Sequence, residues 1–345
     1  MGLRDEIYEQ PVVSQRLIDE GWIHIHEVAE IIRQQQIDYA FLAARGTSDH
    51  AGLYAKYLWG AYNRLPVALA TPSLFSLYEL PPHLSSALVM GISQSGQSPD
   101  IVSVVDEGRS QGALTLAITN APDSPLAETA ELVVHIGAGT ERAVAATKTY
   151  TAQLVAIALL SVALRQDTEQ LAVLRQLPAW ISDALKLESE IARAAQRYRY
   201  MEQCVVLGRG FNYATAFEWA LKIKELTYSV AQPYSSADFQ HGPVAMVARG
   251  FPVFAVVPSG AVFDDVLSLL KRLKDEHQVE LFIISDQSTA LDLADTALPL
   301  PKDIPEWLSP IVSIVPAQLF CYHLTRAKGF DTEEPRSLSK VTKTQ

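Results

Sequence analysis

Short apolar runs recur along this chain, each breaking abruptly into small polar residues. "AFLAARG" begins at Ala40, Ala87 to Met90 run into "GISQSGQSPD", and "ALTLAITN" covers Ala113 to Asn120. The pattern returns as "CVVLGRG" from Cys204, "VVPSG" ending at Gly260, and "VELFIISD" over Val279 to Asp286. Runs this short, bounded by Gly, Ser and Asn, predict buried strands. Between them, apolar residues fall at helical spacing, as Ala220, Leu221, Ile223 and Leu226 do in "EWALKIKELTYS". Strands alternating with amphipathic helices predict an α/β fold of parallel sheets joined by crossover helices. The longest apolar stretch, Leu154 to Leu164, is too short to span a bilayer and predicts a buried helix.

The pattern occurs twice. Ala40 to Tyr62 resembles Cys204 to Leu226: an apolar strand, then Arg-Gly, then a helix. Gly46 and Gly210 stand 164 positions apart, as do Gly96 and Gly260. Such a period implies internal duplication. It predicts a helical lead-in over 1–35, a first domain over 36–165, connecting helices over 166–200, a second domain over 201–330 and a tail over 331–345. Sheets of this kind bind ligands beyond the carboxyl ends of their strands, where "RGTS", "SQSGQS" and "GRGFN" fall.

Composition narrows the classes. The 345 residues suffice for two domains, and a hydrophobic share of 48% describes a folded chain. A net charge of −11 argues against nucleic acid as a partner. Cys204 and Cys321 form neither a metal-ligand spacing nor a disulfide framework, which makes a reducing cytoplasm the default. "MGLRDEIYEQ" shows no secretory pattern and fails the myristoylation pattern at Glu6. No membrane partner is expected.

Candidate chemistry concentrates in a few words. "SQSGQS" brings Ser93, Gln94, Ser95 and Ser98 to a helix start, which suits a phosphate held by hydroxyls, backbone N–H groups and a helix dipole. The alternative is a strand ending in a turn, with a serine capping the next helix. No P-loop lysine is present, so a sugar monophosphate fits better than a nucleoside triphosphate with magnesium. Thr47 and Ser48 offer the same chemistry at another strand end. "GRGFNYA" starts like a dinucleotide fingerprint, but Tyr213 occupies the third glycine position. Glu218, Lys222 and Glu225 share one helix face, and an ion pair on a solvated surface is the plain interpretation. His241 in "DFQHGP" and Lys340 in the polar tail carry little information alone.

Together these residues resemble the sugar isomerase (SIS) domain family. Within it, the chain is similar to the isomerase half of glutamine–fructose-6-phosphate aminotransferases and to the SIS-type glucosamine-6-phosphate deaminases. The match runs nearly end to end, through "EIYEQP", "RGTS", "SQSGQSPD", "GTERAVAATKTY", "LGRGFNYATAFEWALKIKELTY", "DFQHGP" and "PRSLSK". It implies two tandem SIS domains, each a flavodoxin-like three-layer sandwich.

The resemblance also implies roles. Ser93, Gln94, Ser95 and Ser98 would hold a sugar phosphate near Thr47 and Ser48, with Val144 and Ala146 as further substrate contacts. Glu225 would move a proton between C1 and C2, supported by Lys222 and Glu218. His241 would open the sugar ring, reaching the site from the neighbouring subunit of a homodimer. Lys340, on a tail reaching the active site, matches the lysine that forms a Schiff base with an open-chain ketose. No metal or organic cofactor is called for, because the adjacent carbonyl or imine accepts the electrons.

Two departures direct the expectation. No glutaminase-like segment with its cysteine precedes the match, which favours deamination over ammonia-fed synthesis. Ala146 stands where the aminotransferases typically carry serine, as in the deaminases and deglycases. The expected activity is conversion of glucosamine 6-phosphate to fructose 6-phosphate and ammonia. The alternatives are a fructosamine-6-phosphate deglycase, a plain sugar-phosphate or aminotransferase-like isomerase, and a non-catalytic sugar-phosphate sensor.

Overall fold

A computed structural model describes residues 2–340; the tail positions 341–345 lie outside the described residues. The chain divides into two compact units. One comprises residues 9–141, 146–178 and 339–340, and is called the first unit; the second comprises 2–8, 142–145 and 179–338.

The first unit is built on a parallel sheet of β1 (Tyr39–Ala43), β2 (Val67–Leu69), β3 (Ala87–Ser93), β4 (Leu114–Thr119) and β5 (Leu132–His135). Its strand order is β2-β1-β3-β4-β5. Every residue of β3 is buried, as expected of a central parallel strand covered on both faces. The apolar stretch singled out above lies in the helix Lys148–Arg165, which is buried from Lys148 to Ala163.

The second unit repeats the plan with β6 (Gln203–Gly208), β7 (Val230–Ser235), β8 (Pro252–Val256), β9 (Glu280–Ser285) and β10 (Thr296–Pro299). Its order, β10-β9-β8-β6-β7, is the first sheet read from the other edge. The duplicated α/β fold expected from the sequence is therefore present. The repeated Arg-Gly shows why the motif recurs: Gly46 and Gly210 have φ of 54° and 59°, a region that penalises any Cβ.

Among the described residues, one helical stretch, Glu306–Ala327, is long and apolar enough to cross a membrane by length and composition. Its most apolar 18-residue window is 89% buried, as in a core helix of the second unit.

Candidate active site

In the first unit, β1 and β3 are neighbours whose connections leave in opposite directions along the sheet. This strand order makes the carboxyl ends of β1 and β3 the usual ligand position. Two loops line it. After β1, Gly46 turns the chain so that Thr47 opens the helix Thr47–Leu58. Ser48 is buried, and its Oγ accepts a hydrogen bond from Gln153 Nε2 at 3.0 Å.

After β3, Ser93 Oγ accepts the Gly96 N–H at 3.1 Å and Ser95 Oγ accepts the Gln97 N–H at 3.3 Å. Each hydroxyl hydrogen remains a donor. Ser98 occupies the N-cap position of the helix Pro99–Ser110, yet its side chain makes no capping bond. The loops are joined by Arg45 Nε, 2.8 Å from Oδ2 of the fully buried Asp100. This pairing sets a cation against the buried Asp100 carboxylate, two residues beyond Ser98.

A cavity of about 720 Å³ in the same unit is lined by Gln94, Asn120, Thr140 and Glu141 along with residues of the helices Gln10–Glu20 and Trp22–Arg33. Glu141 was not singled out by the sequence. Its Oε1 accepts the N–H groups of Thr147 and Thr149 at 2.9 and 3.1 Å, capping the helix Lys148–Arg165 from outside. Its Oε2 accepts the Thr149 hydroxyl at 2.7 Å and lies 2.6 Å from Lys340 Nζ. Nothing local in the sequence marks this contact, because its partner stands 199 positions away.

The "EIYEQP" word works on the segment ahead of that helix. Glu6, fully buried, accepts the N–H groups of Arg142 and Ala143 at 2.5 and 3.2 Å. In the first unit, Lys148 Nζ pairs with Glu9 and donates to Thr140 O at 2.8 Å, while the Thr151 hydroxyl donates to Gln10. Val144 and Ala146 are half-buried on this segment.

The second unit carries the charged helix, Tyr213–Thr227. Lys222 Nζ lies 2.5 Å from Glu225 Oε2 and 3.3 Å from Glu218 Oε1. This is not a solvated surface pair: the side chains of Glu218 and Lys222 are 0% and 2% exposed, and that of Glu225 is 22% exposed. Burial pulls the Lys222 ammonium down, but the two facing carboxylates outweigh it and hold its pKa well above the usual lysine range. A lysine cation between two carboxylates, with only Glu225 open to solvent, is a costly arrangement of the kind found where a site holds a charge for function.

The helix is anchored at its start. Asn212 Nδ2 donates to Ser309 Oγ at 2.7 Å, and Asn212 Oδ1 accepts from Thr215 and Ser313 hydroxyls at 3.0 and 2.8 Å. At its end, the Tyr228 ring lies under the Arg336 guanidinium at 4.3 Å, and Tyr228 Oη accepts the Arg336 N–H at 2.9 Å. His241 is exposed, just after the short helix Ser236–Gln240, with its N–H on Asp238 O at 3.0 Å.

The fold and these sites place the chain among proteins that carry paired sugar-isomerase modules. The SIS domain model matches residues 31–163 and 199–327, and the chain belongs to that family. It is 36% identical to the glutamine–fructose-6-phosphate aminotransferase of Bordetella parapertussis over 362 residues, 98% of this chain and 57% of the relative. The Pyrococcus horikoshii aminotransferase is 35% identical over 97% of this chain and 56% of its own length. The chain thus spans a little over half the length of the curated relatives it matches. Among solved structures, the C-terminal domain of glucosamine-fructose-6-phosphate aminotransferase from Francisella tularensis superposes with a TM-score of 0.87 at 29% identity, covering 96% of this chain and 98% of that one.

Proposed function

We propose that this protein converts glucosamine 6-phosphate and water to fructose 6-phosphate and ammonia. The loops holding Thr47, Ser48 and Ser93 to Ser98 take the phosphate. His241, from the neighbouring subunit of a homodimer, opens the ring. The Glu225 carboxylate removes the C2 proton of the open-chain aldose and delivers it to C1, leaving an imine at C2. Water adds to that carbon and ammonia departs.

The observation that carries this reading is the Lys222 cluster. Proton transfer at carbon needs a carboxylate fixed beside the substrate, and Glu225 is the one member of the cluster still open to solvent. Lys222 and Glu218 hold its orientation from below. The serine loop supports the same reading, since its hydroxyls remain available as donors.

The test is ammonia release from glucosamine 6-phosphate. Glu225→Gln is expected to lower kcat/KM by at least ~100-fold, the usual worth of a positioned base. Wild-type protein that binds the sugar but releases no ammonia would remove the proposal. The aminotransferase relatives favour a second reading, the isomerase portion of an ammonia-using enzyme. It predicts that fructose 6-phosphate interconverts with glucose 6-phosphate faster than ammonia is released. Ala146, with no hydroxyl to offer, makes fructoselysine 6-phosphate the third substrate to compare.

A further inference from the structure

The tail would be expected to fray, and residues 336–339 are indeed exposed. Lys340 breaks the pattern: its side chain is 24% exposed, and its amine rests on Glu141, whose side chain is 0% exposed. Glu141 is held rigidly by the start of the helix Lys148–Arg165. Oε1 is engaged by two backbone N–H groups, and Thr149 Oγ1 fixes Oε2 from one side. Little rotational freedom is left, so Oε2 presents one fixed position to the tail amine. Glu141 also lines the cavity to which Gln94 of the serine loop contributes.

We propose that Glu141 is the positioning residue for Lys340, holding the tail amine at the sugar-phosphate unit so that it can form an imine with an open-chain ketose 6-phosphate. This rests on the amino-sugar reading above. In the step itself the ammonium gives its proton to solvent and the neutral amine adds to the C2 carbonyl. The carbinolamine then loses water, leaving a C=N bond to Lys340. Glu141 orients the nitrogen before the step and takes no part in bond making.

The experiment is reductive trapping. Protein is incubated with fructose 6-phosphate and cyanoborohydride, and the adduct on the Lys340 peptide is measured by mass spectrometry, with Lys340→Met as blank. Glu141→Ala is expected to slow trapping by at least ~10-fold, the scale on which a misplaced reacting group fails. Fructose 6-phosphate affinity should stay within ~2-fold, because the serine loop is intact. Glu141→Gln fills the same volume and keeps one oxygen for the Thr147 and Thr149 N–H groups, but turns an amide NH2 toward the tail amine. Trapping should therefore stay slow in this variant although the alanine cavity is avoided. A purely structural role would instead lower affinity and trapping together. Trace acetylation of Lys340 gives a readout free of substrate, and should rise ~5-fold or more in Glu141→Ala as the tail is released. Folded Glu141→Ala and Glu141→Gln that trap and acetylate at wild-type rates would overturn the proposal. Failure of wild-type protein to trap any adduct would overturn the imine step and leave the deamination reading standing, with acetylation deciding the tether.

Discussion

Ser98 separates two interpretations of one motif. If it were a helix cap, Ser98→Ala would cost about 1 kcal/mol of stability. Its hydroxyl makes no capping bond, so the expected result is an unchanged Tm with a KM for sugar phosphate raised ~10-fold, the loss of one hydrogen bond to a charged group. A lower Tm with unchanged KM would return the serine to a structural role. Lys222 allows the converse experiment. Lys222→Met leaves the Glu218 carboxylate buried without its nearby cation, which should cost ~3–5 kcal/mol in denaturant unfolding. Adding Glu218→Gln should recover more than ~1 kcal/mol of that loss, since the two side chains are in contact. Additive losses would mean that the charges do not depend on one another.

At the level of elements, the helix bearing Glu225 owes its fixed position to packing as well as to Asn212. Trp219 stacks on Phe254 with ring centroids 5.1 Å apart, and both rings are fully buried. The helix Leu3–Tyr8 is held differently, by Glu188 at the start of the helix Glu188–Arg197. Glu188 receives Arg4 at 2.7 and 2.6 Å, and the Tyr8 hydroxyl at 2.6 Å. The Arg4 hydrogen bonds bring its carboxyl from 4.5 down to about 2. A depressed carboxyl stabilises the fold above its unfolded pKa, so this contribution is present at neutral pH and is lost as pH falls from 4.5 toward 2. Because Arg4 is 43% exposed, the effect should be no more than ~2 kcal/mol. It is read as the difference between wild-type and Arg4→Met unfolding curves, which should converge in that window; a gap constant with pH would refute the assignment. The elements also show what a sequence can reveal. The duplication was legible because both copies need a glycine at positive φ after the first strand. Burial of Glu218 and Lys222 was not, since an i,i+4 pair has the same spacing on a surface and in a core. Glu141 was invisible because its chemistry comes from a residue far along the chain.

For the whole molecule, a duplicated fold raises the question of whether it has one ligand position or two. The second unit has the same strand order, so the equivalent ligand position lies beyond the carboxyl ends of β6 and β8. Its loop after β8 carries Ser259 and Gly260, the counterparts of Ser95 and Gly96 by the repeat offset. There the similarity ends. Ser259 N–H and Oγ both donate to Asp286, each at 2.6 Å, and the Ala261 N–H donates to Glu306 Oε2 at 2.8 Å. A Cβ at Gly260 would overlap the Glu306 carboxylate, and Arg209 is taken by Asp265. The donors that could face a phosphate are therefore satisfied by the chain's own anions, and a second anion would meet like charge. The first unit has Asn120 where Asp286 stands, and its buried carboxylates Asp100 and Glu141 are paired with Arg45 and Lys340. Titration with inorganic phosphate should therefore give a single site per chain. The Ser93→Ala/Ser98→Ala variant should lose it while lowering Tm by only a few degrees, because Ser98 makes no capping bond and Ser93 holds a single N–H, that of Gly96. Two sites in wild-type protein, or binding that survives the double substitution, would show that the second position accepts an anion despite its carboxylates.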